Sequence, residues 1–69
     1  MEIRADIAGT VWKITVTVGQ HVGEDDTVVI LESMKMEIPV VSQGSGVVKE
    51  ILVHEGQLVA EGEVLVLLG

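Results

Sequence analysis

Two stretches of the chain follow one pattern: Gly9-Thr10-Val11-Trp12-Lys13-Ile14-Thr15-Val16-Thr17-Val18-Gly19-Gln20 and Gly46-Val47-Val48-Lys49-Glu50-Ile51-Leu52-Val53-His54-Glu55-Gly56-Gln57. A shift of 37 positions lays Gly9 to Leu31 over Gly46 to Leu68 without a gap, and 10 of the 23 positions are identical. The identical pairs are Gly9/Gly46, Val11/Val48, Ile14/Ile51, Val16/Val53, Gly19/Gly56, Gln20/Gln57, Val22/Val59, Glu24/Glu61, Val29/Val66 and Leu31/Leu68. Two copies are too few for a solenoid, so the repeat predicts one compact unit of two equivalent halves related by a pseudo-twofold axis.

The residue types say what each half is made of. Val, Ile and Thr supply 24 of the 69 residues, and eight Gly interrupt every helical stripe, which reads as short strands joined by tight turns. In Ile14-Thr15-Val16-Thr17-Val18 the apolar residues take every second position, as one face of a half-buried strand requires. The runs before Glu32 and at the C-terminus are continuously apolar, and periodicity does not assign their faces. The step from Val11 to Ile14, like that from Val48 to Ile51, is odd, whereas the next step in each half is even. A break of phase at equivalent places predicts a bulge or bend where the strand wraps from one sheet to the other. Two halves of about four strands then give an all-β fold, a flattened eight-stranded antiparallel barrel or sandwich with an aliphatic core. Asp25 stands where the second half has Gly62, so a positive φ is expected there, since Asp is among the few residues besides Gly that tolerate it.

Size and charge exclude other classes. Sixty-nine residues make a single domain, 1–69, with a folded surface near ~4,200 Å² and stability close to the margin. There is no Cys to form a disulfide and only one aromatic, Trp12, a core or sheet-surface residue that offers no stacking platform for nucleic acid. Eleven acidic residues against four basic ones give a net charge of −7, which repels phosphate backbones and anionic lipid. No apolar run is long enough to cross a bilayer as a helix, and no signal peptide opens the chain, which fits a cytoplasmic protein.

Function is expected where the symmetry is not used up, in Glu32-Ser33-Met34-Lys35-Met36-Glu37-Ile38-Pro39 between the halves. If Leu31 closes one strand and Ile38 opens the next, Lys35 stands at the tip of a hairpin. Its neighbours Met34 and Met36 are then left uncovered. Taken by spacing alone, such a Lys is a solvated charge and such a Met pair is core filler; the tip position favours a soft, adaptable docking surface instead.

The stretch Glu32 to Met36 resembles the biotin attachment signature Glu-Ala-Met-Lys-Met of biotin carboxyl carrier domains in the biotinyl/lipoyl family. The family pattern Gly-x-Val-x-x-Ile-x-Val-x-x-Gly is met twice, from Gly9 to Gly19 and from Gly46 to Gly56, so the resemblance covers essentially the whole chain. It implies a barrel-sandwich hybrid with the modified lysine on the hairpin joining the halves. Lys35 would carry biotin through an amide, with Met34 and Met36 as flanking recognition positions and Glu32 and Ser33 as motif positions. The implied partners are a biotin ligase, which modifies Lys35, and a biotin carboxylase and carboxyltransferase, between which the arm carries a carboxyl group. The carrier would be non-catalytic, a tether that raises local concentration at two separate sites. Ser33 for Ala, Asp6-Ile7-Ala8 for a Pro-containing stretch and Asp25 for Gly are departures from the family pattern, and no insertion forms a thumb, so the chain is similar to the small, thumbless, free-standing carriers. A lipoyl carrier, which would have Asp-Lys-Ala at this point, and an unmodified interaction module using the Met pair are the alternatives.

Other polar residues carry less. His21 and His54 occupy different repeat positions and neither has a second His or Cys at ligand spacing, so no metal site is expected. The acidic cluster Glu24-Asp25-Asp26 lacks an EF-hand pattern and reads as a solvated turn. Ser33 has no strained elbow or third partner for nucleophilic catalysis, and an exposed Lys35 lacks the burial that activates Schiff-base lysines.

Overall fold

A computed structural model describes all residues from Met1 to Gly69. It contains eight strands and no helix: β1 (Glu2–Arg4), β2 (Gly9–Ile14), β3 (His21–Val22), β4 (Thr27–Ser33), β5 (Met36–Val41), β6 (Gly46–Ile51), β7 (Leu58–Val59) and β8 (Val64–Leu68). They form two four-stranded antiparallel sheets, ordered β1-β8-β6-β3 and β5-β4-β2-β7. The shift of 37 residues exchanges the two orders term by term, so the sheets are the two images of one pattern. Each sheet takes its two central strands from one half of the chain and its two edge strands from the other. Extents of 31 × 19 × 18 Å and a surface of 4107 Å² match the size expected from chain length.

The core obeys the same symmetry more strictly than the sequence does. Sixteen residues are buried, and every one has its repeat mate among them: Ile3 with Val40, Ala5 with Ser42, Val11 with Val48, and so on to Leu31 with Leu68. The structural repeat therefore begins before the sequence repeat. Glu2 to Ala5 and Pro39 to Ser42 share no identity, yet Ala5 exchanges backbone hydrogen bonds with Gly62 and Glu63 as Ser42 does with Asp25 and Asp26. Backbone pairing fixes these strands and asks of the side chains only that Ile3 and Val40 be apolar.

The phase breaks are bulges. Val11 faces Leu31 and Lys13 faces Ile30, which leaves Trp12 as the extra residue; in the other sheet Val48 faces Leu68 and Glu50 faces Leu67, which leaves Lys49. Two successive residues of each strand thus point outward, and Trp12 is 46% exposed. A second bulge pair sits at Val28 in β4 and Leu65 in β8. Here the bulge turns two successive residues inward, Val28 with Val29 and Leu65 with Val66, which explains the continuous apolar runs that periodicity left unassigned.

The passage between sheets lies further along than the bulge. β2 ends at Ile14, and Thr15 to Val18 are not a strand: the segment crosses from its bond to Val28, through Thr15 N–H, to Val48, which accepts from Gly19 N–H. The alternation correctly marks Val16 as buried, whereas Val18 is exposed because the turn at Gly19 has begun. That turn explains two of the identities. Gly19 and Gly56 have φ of 92° and 90°, and the side-chain carbonyls of Gln20 and Gln57 accept from Thr17 N–H and His54 N–H, both at 3.1 Å. The acidic turn is closed in the same manner, since Asp26 accepts from Gly23 N–H at 2.7 Å and Glu63 from Ala60 N–H at 2.9 Å. Asp25 has φ 71° against 85° for Gly62, as its place in the repeat requires.

Candidate functional site

β4 and β5 form the longest hairpin. Leu31 pairs with Ile38, Glu32 with Glu37 and Ser33 with Met36, so the strands run closer to the tip than the apolar pattern suggests and only Met34 and Lys35 are left to turn the chain. Their φ values are 52° and 65°, the signs of a type I′ turn, which is the tightest connection compatible with strand twist. Neither residue is Gly, Asn or Asp. Each left-handed residue costs about 1–2 kcal/mol, so the tip holds roughly 2–4 kcal/mol of backbone strain that the paired strands below it sustain.

Gly9 explains how the hairpin is braced. It pairs with Val59 on one side, and on the other a Cβ placed on it would come within 2.7 Å of the Glu32 carbonyl oxygen. Only Gly lets β2 approach β4 so closely just beneath the tip.

The exposed end is chemically distinct. Met34 is 91% and Met36 61% exposed, and Lys35 stands between them, also exposed. Glu32 and Glu37 face each other across the hairpin, a like-charge pair directly opposite that disfavours pairing, and both are exposed. Lys35 is nevertheless free of both, because the one ion pair in the molecule joins Arg4 to Glu2. Ser33 is half-buried and points no hydroxyl at a neighbouring base. The tip thus offers a primary amine on a rigid apex, two soft apolar side chains and a negatively charged collar. It contains no arrangement for general acid–base or nucleophilic catalysis.

The other candidates lie elsewhere. His21 is on β3 and His54 in the turn before β7, both exposed, and no three carboxylates or imidazoles anywhere converge as metal ligands. Two neighbours of the tip escaped the sequence reading. Glu37 is the cross-strand partner of Glu32, a pairing fixed only by the two-residue turn. Leu58, 77% exposed on edge strand β7, pairs with Thr10 beside Glu32 and takes the place that His21 has in the other half. The repeat offered a signal for it, a leucine where its mate is polar.

A family model described as "Biotin-requiring enzyme", covering biotin and lipoyl attachment domains, matches residues 1–68. The chain belongs to this biotin/lipoyl family. It is 48% identical over 65 residues to a biotin/lipoyl attachment protein of Bacillus subtilis, covering 94% of this chain and 89% of that one. The urea carboxylase of Kluyveromyces lactis contains a region that superposes with a TM-score of 0.95 at 33% identity, covering all of this chain and 6% of the enzyme. The lipoyl domain of the 2-oxoglutarate dehydrogenase complex of Azotobacter vinelandii superposes with a TM-score of 0.76 at 29% identity, covering 97% of this chain and 95% of the domain. Biotin/lipoyl membership accounts for the eight-stranded fold of two quasi-symmetric halves with no helix.

Proposed function

We propose that Lys35 is the biotin attachment site and that the chain serves as a biotin carrier for a biotin-dependent carboxylase, itself without catalytic groups. The observation that supports this most directly is the free amine at the apex of a two-residue turn, flanked by exposed Met34 and Met36. Acylation needs Lys35 Nζ to enter the site of another protein, and the strained, braced hairpin presents it there without local unfolding. Biotin, when attached, supplies a ring nitrogen that carries a carboxyl group from one active site to another. Everything else falls to this chain's residues. The Gly9 contact and the paired strands hold the apex in place, the two Met side chains give partners an apolar grip, and Glu32 and Glu37 favour a basic rim on whatever docks. The partners of this reading are a biotin ligase, then a biotin carboxylase and a carboxyltransferase, in the cytoplasm where those enzymes meet.

Incubation with a biotin ligase, ATP and biotin, followed by peptide mass mapping, is expected to place one biotin on Lys35, and Lys35→Arg is expected to accept none. Modification of Lys13 or Lys49, or of no residue, overturns the proposal. The shared fold of the lipoyl domain makes a parallel incubation with a lipoyl ligase the matching control, and a lipoyl group on Lys35 in place of biotin overturns the choice of cofactor.

A further inference from the structure

The chain places its oxidisable sulfur unevenly. It has three Met and no Cys, and none of the Met is among the fifteen residues of the hydrophobic core. Two of the three flank Lys35, Met34 being 91% and Met36 61% exposed. The third, Met1, is 52% exposed and lies against Gly44, past the far end of β5 from the tip. An oxidant that reaches all three therefore finds an interior with no thioether or thiol to attack.

We propose that Met34 and Met36 form a peroxide-sensitive modification site that controls docking at Lys35; this rests on the reading of Lys35 as the biotin acceptor. A thioether lone pair attacks one oxygen of a peroxide, the O–O bond breaks and a new S–O bond forms. The sulfur is oxidised to a sulfoxide and the peroxide is reduced, leaving as water when hydrogen peroxide is the oxidant. The product replaces a flexible apolar side chain with a polar, chiral one. At a core position this change would unfold the protein. At the tip it leaves both sheets intact and weakens the apolar grip on either side of the amine, so the carrier stays folded but is recognised less well. Sulfoxide reduction is enzyme-catalysed, one enzyme for each epimer, which makes the modification reversible.

The experiment treats the purified, unmodified carrier with hydrogen peroxide, removes the peroxide, and measures the rate of biotin attachment by a ligase that was never exposed to it. Peptide mapping is expected to find one added oxygen on each of Met34 and Met36. The thermal unfolding curve is expected to stay in place while attachment slows by about five- to tenfold, the scale of turning one buried apolar contact into a polar one. A mixture of the two classes of methionine sulfoxide reductase, supplied with a dithiol that is oxidised to its disulfide as the sulfoxide oxygen leaves as water, is expected to restore the rate. The doubly substituted Met34→Leu, Met36→Leu protein is expected to keep its own rate after the same treatment. Oxidised protein that accepts biotin at an undiminished rate overturns the inference, as does a loss that the reductases fail to reverse. An equal loss in the Leu variant also overturns it by moving the effect to Met1 or elsewhere. Untreated protein that accepts no biotin overturns the earlier reading of Lys35 instead, so the two failures are told apart.

Discussion

The closest test of the geometry is a pair of identical substitutions with opposite expected signs. Replacing Gly by Ala at a compatible backbone position stabilises a protein by about 0.4–1 kcal/mol, because the unfolded chain loses freedom. Gly23 is such a position: a Cβ there meets nothing nearer than Asp26 Oδ2 at 3.6 Å, and its repeat mate is already Ala60. Gly9 is the reverse case, since its Cβ would stand 2.7 Å from the Glu32 carbonyl oxygen, and β2 and β4 would have to separate along a hydrogen-bonded pair. Overpacking of that kind costs about 1–3 kcal/mol, which outweighs the unfolded-state gain and leaves Gly9→Ala less stable by about 1–2 kcal/mol. For a domain of this size 1 kcal/mol moves the midpoint by about 4–8 °C. Thermal unfolding followed by far-ultraviolet circular dichroism is therefore expected to show Gly9→Ala melting about 5–15 °C below the parent and Gly23→Ala about 2–8 °C above it. A Gly9→Ala protein at or above the parent midpoint, or two variants shifted in the same direction, refutes the close-approach argument.

Further outcomes follow from the hairpin and core. Met34→Gly is expected to relieve the turn and raise stability by about 0.5–1 kcal/mol in denaturant titration, while biotin attachment slows because an apolar grip is lost. Glu37→Lys replaces a like-charge cross-strand pair with an opposite one, and is expected to stabilise by about 0.2–1 kcal/mol at low salt, less as ionic strength rises. Leu65→Ala opens a cavity in the fully buried centre and is expected to cost about 2–5 kcal/mol, enough to leave much of the protein unfolded at 37 °C by the same dichroism measurement.

Much of this architecture is legible in the sequence because symmetry makes each position appear twice. The bulge at Trp12 shows as an odd step, and its recurrence at Lys49 separates it from chance. Asp25 opposite Gly62 marks a left-handed residue for the same reason. What the sequence hides is whatever the backbone alone decides. The equivalence of β1 with the second part of β5 leaves no identities, since a pairing strand needs only one buried apolar residue. The type I′ turn carries none of the residues that usually announce it, and so neither the two-residue length of the tip nor the Glu32–Glu37 pair was readable beforehand. The Bacillus subtilis relative and the carboxylase superposition then place the chain in its family on grounds independent of the repeat.

The interleaving of the halves bears on when Lys35, the proposed acceptor, gains its setting during synthesis. The hairpin that bears Lys35 is complete in sequence by Val41, yet β4 rests on β2, and β2 has its other flank covered by β7, which follows 17 residues later at Leu58. A nascent chain that has just emerged past Val41 therefore has β2, β4 and β5 but not the β7 flank that completes their sheet. The chain must be made as far as Val59 before both flanks of β2 are covered. A modifying enzyme that reads the shape of the tip is thereby also reading that β7 has been made and inserted.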